Sequence, residues 1–357
     1  MNSFHATQTH AFKIMISCAG LGMGNASRIC ATIEALQSIA QKENFSITCH
    51  VVSWGAGYLF LKNFKESSKL GFELTEIQNY RHQYNIFNFL KCYYSNTKAI
   101  KLTINQFKPD LLVLDSDYHF ISYVMLKIPK ISISQASDVL DRIPLTNYRP
   151  KDFSEKITLF LREVLDAFFQ KIISTKVLVP SFTLELDSKE YLNRIKIPLI
   201  VREEFLQPTH DLEENGNSIG VLLSGSEIDK DAFLNLKQEQ SINVITPNLN
   251  NSNIISHARL LDKYNIIFTQ GGLSSISEVI ARGKFLIVFP IRNHPEQMIN
   301  ALEVERLGLG MKASLDDLKD FAKLLKEINL KKERTKKRFI DCTGSHKAAE
   351  IISRFLH

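Results

Sequence analysis

The chain has 357 residues, 44% of them hydrophobic and 23% charged, with a formal net charge of +6. This composition excludes disordered, collagen-like and disulfide-scaffold chains, and no apolar run reaches the roughly 18–20 residues of a membrane-spanning helix. Five scattered cysteines (Cys18, Cys30, Cys49, Cys92, Cys342) without C-x-x-C spacing argue against a zinc site and fit a reducing compartment, so the chain is expected in the cytoplasm.

The length suits two domains. The first apolar run, 12–18, ends in glycines, is too short for a secretory signal and reads as a strand. A helix at 27–41, a strand at 46–53 and short strands at 111–115 and 130–134 follow. In the second half the strands are 218–224, 243–246, 266–269 and 285–289, with helices between them. Short buried strands spaced by helices predict parallel sheets covered on both faces, and two in tandem make an α/β chain of two doubly wound, Rossmann-like domains. The join is placed near 197–217, where Pro198 and Pro208 bracket a polar stretch at 211–217.

Between the first strand and its helix stand Gly20, Gly22 and Gly24, then Asn25 and Arg28. Their spacing, and the absence of an acid at the end of the second strand, argue against a dinucleotide fingerprint. The segment 80–101 mixes aromatics with cations (Tyr80, Arg81, His82, Tyr84, Phe87, Phe89, Lys91, Tyr93, Tyr94, Lys98), and 153–176 is rich in Phe and Leu. Core packing and contact with a membrane interface both stay open for these stretches.

Strand 111–115 delivers Asp115, Asp117 and His119 to the carboxyl edge of the first sheet. There Asp115 is either a carboxylate facing a cleft or a helix N-cap, and His119 either a proton acceptor or a structural side chain.

In the second half, strand 266–269 runs through Gln270 into Gly271-Gly272, and a helix opens with Ser274, Ser275 and Glu278. Glycines allow close approach of a ligand, and the free N–H groups of a first helical turn attract phosphate. The next strand ends in a block, 290–300, that carries Glu296 and Gln297 at the same sheet edge. From 319 to 338 nine Lys or Arg stand against three acids, over a helical pattern of Phe321, Leu324, Leu325 and Ile328. This reads as a solvated basic face or one drawn to an anionic surface, and nothing elsewhere supports a nucleic-acid partner.

The block 265–310 resembles the donor-binding half of the GT-B glycosyltransferases. The nearest relatives are the UDP-glycosyltransferases and the peptidoglycan enzyme that adds N-acetylglucosamine to its lipid intermediate. The likeness is looser around 223–226 and short near the N-terminus. It implies a domain for the acceptor at 1–205, a domain for the nucleotide-sugar at 206–344, and a last helix at 345–357 packing back on the first domain. Gln270 stands where many members have a His that contacts phosphate. Gly271, Gly272, Ser274 and Ser275 match the diphosphate cradle, Glu278 the acid that grips the ribose, and Glu296 and Gln297 the pair that holds the sugar. Ser224 and Ser226 match a turn facing the cleft, and Ile255 the wall of the nucleobase pocket.

The N-terminal loop is similar to the family's G-x-G-H-x-x-R loop, with Gly22, Gly24 and Arg28 in place. Asn25 occupies the position of the His that serves as general base, and an amide takes no proton at neutral pH. Asn25 is therefore expected to position a substrate, with Asp115 as the base and Asp117 or His119 as substitutes. The resemblance implies inverting, metal-independent transfer of a sugar, from a UDP-sugar first, to a glycan, lipid-linked or small-molecule acceptor, with no resident cofactor. A lipid-linked acceptor would bring the chain to the inner face of the membrane. Nucleotide-sugar epimerases and hydrolases share this fold and would show carboxylates facing the sugar. A subunit that binds the nucleotide-sugar and needs a partner is the remaining rival.

Overall fold

In a computed structural model of the chain, the residues described are 11–68, 70–79, 86–117, 119–184, 193–207, 218–222, 242–245, 257–334 and 338–357. Seven strands form the first sheet: β1 (Ala11–Cys18), β2 (Ser46–Ser53), β3 (Glu73–Glu76), β4 (Leu111–Asp115), β5 (Lys130–Ile133), β6 (Lys176–Pro180) and β7 (Arg194–Ile197). All pair in parallel, in the order β3-β2-β1-β4-β5-β6-β7. The second sheet is also parallel. It holds β8 (Ile219–Leu222), β9 (Ile242–Ile245), β10 (Ile266–Thr269), β11 (Phe285–Val288) and β12 (Gly310–Lys312), in the order β12-β11-β10-β8-β9.

The inner strands are apolar along their whole length because helices cover both faces. Every residue of β4, β5, β8, β10 and β11 is buried. Strand β3 and strand β7 are edge strands with charged, half-exposed residues, so their pattern is not that of a buried strand.

In each sheet the order reverses once, between β1 and β4 and between β8 and β10. Such switch points open a crevice at the carboxyl ends of the strands. The helices Gly24–Lys42 and Leu273–Ala281 start there, one from each sheet.

The chain crosses between the sheets twice. Leu199 N donates to Asp341 O at 3.1 Å, and Gly344 N donates to Leu199 O at 2.9 Å. Gly344 fits this crossing because a Cβ there would lie 2.0 Å from Pro198 O. Beyond it, helix Gly344–Ser353 buries Ala348, Ala349, Ile351 and Ile352 in the core of the first sheet. All five cysteines are free and buried, and burial pushes the Cys49 and Cys342 thiols up to about 12. Among the described residues no helix is long and apolar enough to cross a membrane.

Candidate active site

A cleft of about 490 Å³ lies between the carboxyl edges of the two sheets. Its first wall comes from the ends of β1, β4 and β5: the loop 19–25 with Arg28, then Ser116, then Ser134 to Ala136. Its second wall comes from the ends of β10 and β11: Gln270, Gly272 to Ser275, Ile291, His294, Glu296 and Gln297. Leu161, Arg162, Glu163 and Asp166 close a third side.

The strand-to-helix turn after β10 is where the sequence predicts a phosphate site. Gly272 is the N-cap of helix Leu273–Ala281, and no side chain caps its first N–H groups. They are free to meet an anion, and the helix dipole favours one there. Gln270, 4% exposed, aims an amide Nε2 that finds no partner among the described residues. A buried N–H donor left unpaired costs about 1–3 kcal/mol, so this position is suited to a ligand oxygen.

Gln297 and Gly271 fix the shape of the turn. Gln297 Oε1 accepts from Gly271 N at 3.3 Å and from Ile291 N at 3.0 Å. A Cβ on Gly271 would sit 2.5 Å from Gln297 O, so only glycine fits. Gln297 thus braces the cleft wall as well as lining it.

Three expected residues are placed elsewhere than the sequence suggests. Glu278 does not line the cleft. Its Oε1 accepts from Ser27 Oγ at 2.8 Å and lies 3.4 Å from Arg202 Nη2, tying the two domains together. Asp115 is fully buried and grips Arg28, with Nε at 2.9 Å and Nη2 at 2.5 Å. Burial raises its carboxyl against the pull of that guanidinium. The expected base is therefore spent on an ion pair, because the strand brings it against the helix that carries Arg28.

His119 is likewise withdrawn from the cleft, at 3% exposure. Its Nδ1 lies 2.6 Å from Asp117 Oδ1, and Tyr93 stacks on its ring at 5.5 Å. Tyr123 Oη donates to Asp117 at 2.5 Å. Burial alone would raise the Asp117 carboxyl, but the His119 charge and these hydrogen bonds hold it at about 2.

Asn25 does face the cleft, and its Oδ1 accepts from Arg28 Nη2 at 3.2 Å. Gly22 and Gly24 line it too, and Gly24 O accepts from Ser274 Oγ at 2.9 Å across the domains. Gly272, Ser274, Ser275 and Glu296 are on the opposite wall, as expected. Ser224, Ser226 and Ile255 lie outside the described residues, as do Tyr80, Arg81, His82 and Tyr84.

The sequence reading missed the third side altogether. Glu163 and Asp166 are acids on a stretch rich in Phe and Leu, and both point inward. Among the described residues no three His, Cys, Asp or Glu side chains converge as metal ligands.

Comparison with known proteins agrees with this architecture. Residues 12–329 match glycosyl transferase family 1. A curated relative, an uncharacterized glycosyltransferase of Methanopyrus kandleri, is 30% identical over 96 residues, spanning 26% of this chain and 28% of that protein. Among solved structures, LpCGTa in complex with UDP is 13% identical with a TM-score of 0.62, covering 97% of this chain and 99% of its own. The UDP-GlcNAc 2-epimerase of Neisseria meningitidis bound to UDP-GlcNAc is also 13% identical, with a TM-score of 0.55, covering 97% and 99%. The fold is GT-B, and the chain belongs to glycosyl transferase family 1.

Proposed function

From this family membership we propose that the chain transfers a sugar from a nucleotide-sugar, a UDP-sugar first, to an acceptor held against the first domain. The observation that carries the reading is the uncapped helix start at Gly272 beside the unpartnered Gln270 amide. Together they supply N–H donors and a helix dipole where a departing diphosphate gathers charge. Ser275 is placed to add a hydroxyl. Glu296 is suited to hold sugar hydroxyls, since it stands one strand further along the same edge. The step is read as a single displacement that inverts the anomeric carbon, with the dipole doing the work a metal does elsewhere. The solved neighbour that carries UDP supports this choice of nucleotide.

A second reading is favoured by one specific observation. Glu163, Asp166 and Glu296 all face the cleft, which is what an epimerase or hydrolase of a nucleotide-sugar would show. The likeness to the epimerase fold is consistent with it. One experiment separates the two. UDP without added metal is expected to raise the melting temperature, by mass action on the folded state. UDP-sugars alone should then stay intact, and UDP should be released only when a hydroxyl acceptor is added. Turnover without acceptor would favour the second reading, and a shift seen only with purine nucleotides would reject UDP.

The acceptor is read as lipid-linked, presented at a membrane surface. Phe87, Leu90 and Tyr94 are exposed on helix Ile86–Phe107, and Ile121, Val124 and Met125 on the neighbouring turn. Phe153, Phe160, Leu161 and Phe168 are exposed as well, Leu161 at the cleft itself, and Lys91, Lys98, Lys127, Lys156 and Lys171 are exposed on the same segments. Aromatics ringed by cations suit the interface of an anionic bilayer. The protein is expected to co-sediment with vesicles containing an anionic phospholipid and several-fold less with neutral ones. The double substitution Phe153→Ser and Phe168→Ser should weaken that binding. Equal sedimentation of the variant would sink the membrane reading.

A further inference from the structure

The helical segment 153–173 is built with its polar side inward. Glu155, Glu163, Asp166 and Gln170 are buried, whereas Phe153, Ile157, Phe160, Phe168 and Ile172 are exposed. A buried carboxylate is costly unless hydrogen-bonded or paired, so each inward acid calls for a partner. Glu155 accepts from Lys151 N at 2.6 Å. Asp166 accepts from Ser134 Oγ at 2.8 Å and from Gln170 Nε2 at 3.0 Å. Gln170 is fixed in turn, its Oε1 accepting from Ser132 Oγ at 2.5 Å.

Glu163 is 4% exposed and lines the cleft. The helix places it there by a change of winding: Phe153–Leu159 is α, Phe160–Val164 is a π turn, and Leu165–Ile173 is α again. A π turn inserts a residue and rotates the side chains before it against those after it. Such insertions recur at functional sites, because they cost backbone geometry and gain a side-chain direction.

We infer that Glu163 is the proton acceptor of the transfer, taking the proton of the acceptor hydroxyl as its oxygen attacks the sugar. The inference rests on the transferase reading above. In the step, the acceptor oxygen forms a bond to the anomeric carbon and the bond from that carbon to the diphosphate breaks. The electron pair leaves on the diphosphate oxygen, and the hydroxyl proton passes to the Glu163 carboxylate and later to water. Of the groups the sequence offers as the base, none is available. Asn25 is an amide, Asp115 is bound by Arg28, and Asp117 and His119 are sealed against each other.

The surroundings of Glu163 tune it for this role. Burial, then the charges of Glu296 and Asp166, push its carboxyl well above the ordinary range, while Arg162 and Arg142 pull it back. Glu296 faces it from helix Pro295–Arg306, Arg142 from helix Ala136–Thr146, and Asp166 and Arg162 from its own segment.

The test is Glu163→Gln, read in two ways. First, turnover of UDP-sugar with a hydroxyl acceptor should fall by about 10²–10⁴-fold in kcat, with the melting shift from UDP retained. Second, melting temperature is followed against pH. A group whose folded pKa is raised contributes stability at low pH and loses it as pH rises through the folded value. Above the ordinary carboxyl range the wild type should therefore lose stability that Glu163→Gln keeps, making the variant the more stable at neutral pH. Turnover within about threefold of wild type would overturn the inference. So would a variant that is inactive and also less stable than wild type at neutral pH, since that marks a structural role. A wild type that binds UDP but transfers no sugar would instead overturn the transferase reading itself.

Discussion

Asp115→Asn is expected to cost about 3–5 kcal/mol of folding stability, the loss seen when one partner of a buried ion pair is removed. Arg28 is 6% exposed, and Asp115 receives both its Nε and its Nη2. Without the carboxylate charge the guanidinium stays buried, with Asn25 Oδ1 at 3.2 Å as its remaining side-chain acceptor among the described residues. The cleft wall should suffer with the fold, because Arg28 and Asn25 both line it. Urea unfolding monitored by tryptophan fluorescence would report the change, since the chain has one Trp, buried at Trp54. A second variant isolates the cause. Adding Arg28→Met to Asp115→Asn should recover part of the loss, because an apolar pair of similar volume is often tolerated where a lone charge is not. A stable but inactive Asp115→Asn, losing under about 1 kcal/mol, would return Asp115 to the role of base.

That reversal shows what the sequence could tell and what it could not. The inner strands were legible because burial on both faces leaves an uninterrupted apolar run: 266–269 is predicted to the residue, and 111–115 likewise. The glycine turns were legible because they sit where such strands end. Strands β3, β6, β7 and β12 were not, since three of them lie at a sheet edge and Lys176–Pro180 follows directly on a helix. Asp115 was placed correctly at the end of β4, but the direction of its side chain depends on which helix packs beside that end. The same limit hid Glu163. In 153–173 the apolar and the polar residues each form a coherent helical face, and periodicity alone does not say which face points inward. The ordinary choice buries the Phe side, whereas here Phe153 is 76% exposed and Glu163 4%. Glu278 is a related case: the sequence puts it on this helix, and it does not tell that Ser27 and Arg202 reach it from other elements.

Within the N-terminal loop, Gly20→Ala is expected to be the most damaging of the three glycine substitutions, although Gly22 and Gly24 are the ones the family pattern singles out. A Cβ on Gly20 would lie 1.7 Å from Trp54 O and 2.5 Å from Trp54 C. These are backbone atoms, held by Tyr58 N donating to Trp54 O at 3.2 Å, and no side-chain rotation relieves the clash. The start of helix Gly55–Ser68 presses from the same direction, since a Cβ on Gly57 would meet Gly20 Cα at 3.0 Å. Overpacking a core costs about 1–3 kcal/mol and more where backbone must move, so Gly20→Ala should lie at or beyond about 3 kcal/mol. Gly22 is the opposite case. Nothing lies within 4 Å of a Cβ there, and the residue faces the open cleft. Gly22→Ala should change stability by no more than about 0.5 kcal/mol, with any effect felt in substrate binding. Gly24 falls between, because a Cβ would come 3.0 Å from Ser274 Oγ and crowd the contact between the domains. Urea midpoints for the three variants give the order directly. If Gly22→Ala proved the least stable, the loop would owe its glycines to close approach of a ligand or to an undetected backbone demand, and not to the packing of β1 against the start of the neighbouring helix.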